Sequence, residues 1–99
     1  MEYNLENQTL TFFLKGEINS YNAEDLEKDL EKVLAKKGFK AVVLDLKDVC
    51  YISSAGLRII VKLKQQYLDT SLVNVSDSVY HVLEMVGFEN LVKITKLKK

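Results

Sequence analysis

The spacing of apolar and polar residues changes several times along the chain, and each change marks a predicted element. Residues 3–7 and 9–15 are predicted to form two strands, joined by a tight turn at Asn7-Gln8. From Asn22 onward, apolar residues recur at helical spacing and the opposite face carries Glu, Asp and Lys. Asn22 therefore predicts the start of a first helix, and Gly38 predicts its end.

The middle of the chain has the pattern of a buried strand, a loop and a second helix. Residues 41–46 are nearly all apolar, and such a run suggests a strand that is buried on both faces. A short polar turn follows, and an amphipathic run then predicts a helix over about residues 56–67. Ser53 and Ser54 stand where this helix begins.

The last third of the chain adds two strands around a third helix. Residues 71–75 are an apolar strand, Ser76 is the predicted cap of the helix, and Gly87 is its predicted end. Residues 92–95 predict a last strand before a lysine-rich tail. The resulting order, β-β-α-β-α-β-α-β, contains βαβ units and predicts an α/β fold with a mixed sheet.

Two adjacent hydroxyls at the predicted start of the second helix are the most informative chemical feature. The first turn of a helix has free backbone N–H groups and the positive end of the helix dipole. A phosphate on Ser53 or Ser54 would therefore be tolerated by the fold and would change the surface charge. Arg58 follows Ser54 by four residues, a spacing that puts both on one helix face. From the residues alone, helix capping is the simpler role for both serines.

Composition sets the size and the surroundings of the protein. The 99 residues are predicted to form one domain, 1–99. The formal net charge of zero gives no reason to expect nucleic acid, so no nucleic-acid partner is expected. The sequence has no signal peptide and no apolar run of the roughly 18 residues that a spanning helix needs, so no membrane insertion is expected. The single cysteine, Cys50, cannot form an internal disulfide, and we expect a cytoplasmic protein.

The remaining polar residues do not assemble a catalytic or metal site. His81 has no second histidine or cysteine at ligand spacing, so no metal and no cofactor are expected. Residues 53–56, reading SSAG, differ from the Gly-x-Ser-x-Gly nucleophile elbow, and a single histidine argues against a hydrolytic triad. The sequence therefore predicts a binding protein rather than an enzyme.

Residues 45–57, reading DLKDVCYISSAGL, resemble the signature of STAS domains, most closely that of bacterial anti-sigma factor antagonists. Residues 16–19 are similar to the family's Gly-Glu-hydrophobic-Asp turn before the first helix. Residues 72–76, the third helix and Gly87-Phe88 match the last third of the family. The resemblance extends over nearly the whole chain, and it implies a sheet covered by helices mainly on one face.

The resemblance also implies a function and a set of site residues. The family's acceptor serine lies two residues before a glycine, as Ser54 precedes Gly56, so Ser54 is the expected phosphorylation site and Ser53 the alternative. The expected partners are a GHKL-type serine-kinase anti-sigma factor, which the unphosphorylated antagonist binds to free the sigma factor, and a PP2C-type phosphatase. The expected partner surface consists of Asn19, Ser20, Tyr21, Ser53, Ser54, Gly56, Leu57 and Arg58.

Two positions depart from the family's pattern, and a second function stays open. Ser53 stands where many regulated members carry Asp before the acceptor serine, and Asn19 replaces the usual Asp of the turn before the first helix. Both changes remove a negative charge from the expected kinase-facing surface. The alternative function is a constitutive STAS interaction module, such as a subunit of a lipid-transport ABC system or a signalling scaffold, in which Ser54 only caps the helix.

Overall fold

A five-stranded sheet with helices on one face forms the framework of the protein. The computed structural model describes residues 1–98, and Lys99, the last residue of the predicted lysine-rich tail, lies outside them. Within the described residues, the elements follow the order β1 (Tyr3–Glu6), β2 (Thr9–Ile18), α1 (Ala23–Leu34), β3 (Ala41–Ile52), α2 (Ser54–Gln66), β4 (Thr70–Val75), α3 (Asp77–Met85) and β5 (Lys93–Lys96). A short 3-10 turn, Phe88–Asn90, joins α3 to β5. The predicted β-β-α-β-α-β-α-β order is confirmed.

The first two strands form a hairpin with a tight turn. β1 and β2 are antiparallel, with Tyr3 opposite Phe12. Asn7 and Gln8 connect the strands with φ values of 53° and 65°. A type I′ turn requires two consecutive residues with positive φ, and its twist matches the twist of the paired strands. The turn predicted at these two residues is confirmed.

The other strand pairs are parallel, and their direction determines where the helices begin. The sheet has the order β1-β2-β3-β4-β5, and the pairs β2-β3, β3-β4 and β4-β5 are parallel. Parallel neighbours need a crossover connection, and α1, α2 and α3 supply one for each pair. The carboxyl ends of β2, β3 and β4 therefore meet at one edge of the sheet, where all three helices begin.

Burial alternates along the strands because the helices cover one face of the sheet. On the covered face, the side chains of Phe12, Leu44 and Leu72 are 1% exposed or less. They belong to a core that contains apolar residues from each of the three helices, among them Leu30, Ile60 and Leu83. On the other face, Val43 of β3 is only half-buried. The prediction that residues 41–46 are buried on both faces is therefore wrong, since no helix within residues 1–98 covers the second face.

β3 is longer than its sequence suggested. The polar residues after Leu46 predicted a turn, but the strand continues to Ile52 and stays paired with β2 as far as Ile18. Two register shifts in this pairing absorb the irregular sequence pattern, so Val49 still reaches the core. α2 begins at Ser54, slightly before its predicted start, and only Ser53 separates it from β3.

The three helices differ in how well their predicted ends agree with the structure. Ser76 caps α3 by accepting a hydrogen bond from Val79 N at 3.4 Å, and Gly87 follows the helix with a φ of 75°, so both predictions are confirmed. α1 ends at Leu34, and Gly38 lies further along in the loop, so the prediction that Gly38 ends this helix is wrong. Within residues 1–98, no helix has both the length and the apolar character that crossing a membrane requires.

Candidate functional site

The start of α2 lies against the carboxyl ends of β2 and β3. Ser53 stands between β3 and α2, and its backbone N–H donates to the carbonyl oxygen of Ile18 at the end of β2, 2.8 Å away. This bond ties the loop before α2 to the loop before α1, which begins at Asn19. Two segments that are distant in the sequence thereby form one surface at this edge of the sheet.

Gly56 allows α2 to approach both strands closely. The residue is buried, and a Cβ atom at this position would lie 2.7 Å from Cγ2 of Ile18 and 2.7 Å from Cγ1 of Ile52. Carbon atoms in proteins do not approach each other so closely, so a side chain here would push the first turn of α2 away from the sheet. Gly56 is thus needed for packing, and it lies beneath the exposed surface.

Ser53 is the N-cap of α2. Its backbone is extended, with φ of −94° and ψ of 175°, and its Oγ accepts a hydrogen bond from Gly56 N at 3.4 Å. Its carbonyl oxygen accepts a bond from Leu57 N at 3.0 Å. An N-cap hydroxyl gives a partner to one of the N–H groups that the first turn leaves unbonded. The capping role considered for both serines therefore belongs to Ser53.

Ser54 is the first residue of α2, and its hydroxyl is accessible. Its side chain is exposed and makes no hydrogen bond to another residue within 1–98. The position lies beside the free N–H groups of the first turn, at the positive end of the helix dipole. No acidic residue occupies this first turn, so nothing on the helix itself would repel an added anion. The local electrostatics therefore suit a phosphate at Ser54.

Two asparagines order the loop before α1. Asn19 Oδ1 accepts hydrogen bonds from Tyr21 N at 2.9 Å and Asn22 N at 3.0 Å, and Asn22 Oδ1 accepts one from Asn19 N at 2.9 Å. This reciprocal pair has the spacing of a capping box. Asn22 Nδ2 also donates to Glu17 O at 2.8 Å, which fixes the loop to β2. The predicted N-cap Asn22 is confirmed in position, but its side chain bonds the preceding loop rather than the helix.

The loop places exposed side chains next to α2. Tyr21 is 94% exposed, and Ser20 and Arg58 line a groove of about 390 Å³ between α1 and α2.

The two cations of this groove differ in their partners. Lys62 forms a salt bridge of 2.5 Å with Glu27. The hydrogen bond to Glu27, and then the charge of that carboxylate, raise the pKa of Lys62 above its usual value. Arg58 has no ion-pair partner within residues 1–98, so its charge is available to a partner or to an added phosphate.

The predicted site residues lie together at the edge of the sheet where α1 and α2 begin, but their exposure differs. The exposed members are Ser20, Tyr21, Ser54 and Arg58, the half-buried ones are Asn19, Ser53 and Leu57, and Gly56 is buried. The surface that a partner can touch therefore consists of the loop and the outer side of the first turns of α2.

Two features of this surface were not predicted. Asn22 fixes the loop, and the signal available in the sequence was the pair of asparagines three residues apart, because asparagine side chains readily hydrogen-bond nearby backbone groups in turns. The bridge between Lys62 and Glu27 joins two different helices. No spacing in the sequence indicates such a pair, since it depends on how the helices pack.

The match to a protein family covers almost the whole chain: the model of the STAS domain aligns with residues 1–98. The chain belongs to the STAS domain family. The family resemblance found in residues 45–57 is thereby confirmed. The mixed sheet, with its helices on one face, agrees with the fold that this resemblance implied.

Two relatives of this STAS domain carry related names. BtrV of Bordetella bronchiseptica, a candidate anti-sigma factor antagonist, is 37% identical over 90 residues, which cover 87% of this chain and 77% of that protein. The anti-sigma-B factor antagonist of Listeria monocytogenes is 28% identical over 93 residues, which cover 90% of this chain and 81% of that protein.

The fold is shared with SpoIIAA, an anti-sigma factor antagonist of Bacillus. Its unphosphorylated form matches with a TM-score of 0.73 at 16% identity, covering 94% of this chain and 87% of that one. Its phosphorylated form matches with a TM-score of 0.64 at 15% identity, covering 94% of this chain and 90% of that one. At such low identity the likeness shows the fold alone.

Proposed function

We propose that this STAS domain is an anti-sigma factor antagonist, and that phosphorylation of the domain stops it from binding its anti-sigma factor. In its unphosphorylated form it binds a GHKL-type serine-kinase anti-sigma factor, and the sigma factor held by that kinase is released. The kinase then phosphorylates Ser54, and binding is lost. A PP2C-type phosphatase removes the phosphate and restores the binding form. The cycle takes place in the cytoplasm.

The observation that carries this proposal is the difference between two adjacent serines. Ser54 exposes a hydroxyl that bonds to no residue within 1–98, on a surface that also contains Tyr21 and Arg58. The hydroxyl of Ser53 is half-buried and accepts the hydrogen bond from Gly56 N. A kinase that docks on this edge would therefore meet one accessible hydroxyl at the start of α2.

A phosphate on Ser54 would act through the surface rather than through the fold. It adds about −1.5 to −2 charges at pH 7. At an exposed helix N-terminus, such a charge is favourable by roughly 0.3–1 kcal/mol. A partner that covers the same residue must remove the phosphate from water, and any nearby carboxylate of that partner repels it. The phosphorylated protein thus stays folded and loses its partner.

Intact-mass measurement tests this proposal. The protein, incubated with the candidate GHKL kinase and ATP, should gain a single phosphate that peptide mapping places on Ser54. Ser54→Ala should remain unmodified. The matched control Ser53→Ala, which removes only the neighbouring hydroxyl, should be modified to completion. A phosphate on Ser54→Ala contradicts the site. The phosphate switch is contradicted if the wild-type protein stays unmodified while the same kinase, in a parallel reaction, phosphorylates another antagonist that serves as a positive control.

A constitutive STAS interaction module is the second candidate, and two residues favour it. Ser53 and Asn19 occupy positions where the family resemblance leads us to expect Asp, and both are engaged in local hydrogen bonds as neutral side chains. A kinase that recognises negative charge at these positions would find none. If this candidate is correct, Ser53→Asp and Asn19→Asp should turn an unmodified protein into a substrate, whereas under the leading proposal they should change the rate only.

A further inference from the structure

A second groove lies between β2 and α1. It has a volume of about 380 Å³ and uses the side of α1 that carries Asp25 and Asp29, whereas the groove at Arg58 uses Glu24 and Glu27. We call this second groove the acidic groove. Its apolar lining comes from Met1, Phe13, Leu14, Ile18 and Leu26.

The rim of the acidic groove carries an unbalanced negative charge. Glu2, Glu17, Asp25 and Asp29 contribute four carboxylates, against two ammonium groups, those of Lys15 and of the Met1 N-terminus. None of the four carboxylates forms an ion pair with another residue within 1–98. Because the chain as a whole has a formal net charge of zero, this surplus is local. Such a field attracts a cationic partner and repels an anionic one.

The β2 side of the acidic groove is a strand edge that β1 leaves uncovered. The pairing of β1 with β2 ends at Phe12, apart from one more backbone hydrogen bond, from Phe13 N to Glu2 O at 3.0 Å. Beyond Phe13, no strand within residues 1–98 pairs with this side of β2. Gly16, with a φ of 77°, and the register shifts around it interrupt the regular strand. Such irregularities hinder the addition of a further strand to an edge. The groove therefore offers contacts to side chains rather than a continuous ladder of backbone hydrogen bonds.

The spacing of the carboxylates fits an extended basic segment. Asp25 and Asp29 are one helical turn apart on α1, which corresponds to about 6 Å along the helix axis. Alternate side chains of an extended chain are about 6.7 Å apart. Basic residues at alternate positions of such a segment can therefore reach both carboxylates, while the residues between them point the other way, toward the apolar lining.

We propose that the acidic groove binds an extended segment of a partner protein in which basic and apolar residues alternate. The charge of the rim selects the basic residues, and the apolar lining accepts the residues between them. The groove adjoins the Ser54 surface, which consists of the loop at residues 19–22 and the first turns of α2. Ile18 lies beneath both, and Asn22 lines the groove and fixes that loop, but the four carboxylates belong to the groove alone. It therefore operates whether or not Ser54 carries a phosphate.

Titration of a short peptide of alternating lysine and valine into the isotope-labelled protein, followed by NMR, tests this inference. At low salt, the backbone amide signals of residues 13–18 and 22–29 should shift and reach saturation. The double variant Asp25→Asn and Asp29→Asn should bind the peptide roughly threefold to tenfold more weakly. The control, Glu84→Gln with Glu89→Gln, makes the same charge change at exposed positions elsewhere and should bind as the wild type does.

Three results would overturn the inference: equal affinity of the two double variants, shifts that are concentrated on another surface, or shifts that do not saturate. A peptide of alternating glutamate and valine should cause no shift, and its binding would also contradict the inference. The titration needs no kinase and no ATP. A negative result in this titration would therefore not affect the proposal for Ser54. In the same way, a finding that Ser54 is not phosphorylated would not affect the proposal for the acidic groove.

Discussion

Within residues 53–56, neighbouring positions have different physical tasks. Ser53 caps α2, Ser54 exposes its hydroxyl, and Gly56 lets the helix contact the strands. The sequence indicated that both serines stand at a helix start, because capping preference and apolar spacing are local properties. It did not separate the two serines, because their roles depend on the residue at which the backbone turns from extended to helical.

Gly56→Ala should lower the free energy of unfolding by about 1–3 kcal/mol, because the new methyl group overlaps Ile18 and Ile52. Urea denaturation followed by circular dichroism measures the change. Ser54→Ala, on the exposed side of the same turn, serves as the control and should stay within about 0.5 kcal/mol of the wild type. A Gly56→Ala variant as stable as this control would show that the contact relaxes without cost.

Ser53→Ala should cost about 1 kcal/mol of stability, because a backbone N–H in the first turn of α2 loses its acceptor. Ser53→Asp keeps an acceptor at the cap and adds a charge that the helix dipole favours, so it should be at least as stable as the wild type. Thermal and urea denaturation of the two variants side by side checks both statements. Equal losses in the two variants would contradict a capping role for Ser53.

At the scale of elements, the strand and helix types were predictable but their packing was not. The hairpin turn at Asn7 and Gln8 and the cap at Ser76 follow from local preferences, and the structure contains both. β3 differs, because its apolar run is compatible with burial on one face or on two. Only the arrangement of helices on one side of the sheet decides between these possibilities, and that arrangement depends on contacts distant in the sequence.

Helix α2 also links the proposed phosphate site to a positive charge. Ser54 and Arg58 are both exposed and four residues apart in the helix, so a phosphate on Ser54 can form a charge-assisted pair with the guanidinium. Phosphorylation should therefore stabilise the wild type, and Arg58→Gln should reduce this gain by about 0.5 kcal/mol. A double-mutant cycle between phosphorylation and Arg58→Gln, measured by urea denaturation, gives the coupling.

The control for this cycle is Lys47→Gln, which removes a positive charge from an exposed position on β3. Its gain from phosphorylation should equal that of the wild type. The same coupling for Lys47→Gln as for Arg58→Gln would mean that only the net charge matters. A coupling of zero for Arg58→Gln would leave this arginine as a partner contact or an ordinary surface residue.

At the scale of the whole molecule, two surfaces arise where distant parts of the chain meet. The bond between Ser53 N and Ile18 O joins the loops before α1 and α2, and the acidic groove lies between β2 and α1. The motif in residues 45–57 indicated the first surface through its family resemblance. The acidic groove had no such signal, because its carboxylates are scattered in the sequence and come together only in the fold.

The central claim is that a phosphate on Ser54 removes the partner without unfolding the protein. Calorimetric titration of the GHKL kinase with the unphosphorylated and the fully phosphorylated protein tests this claim most directly. We predict that phosphorylation weakens binding about 30-fold or more, equivalent to roughly 2 kcal/mol, while Ser54→Ala binds as the unphosphorylated protein does. Equal affinity of the kinase for the two forms would contradict the claim.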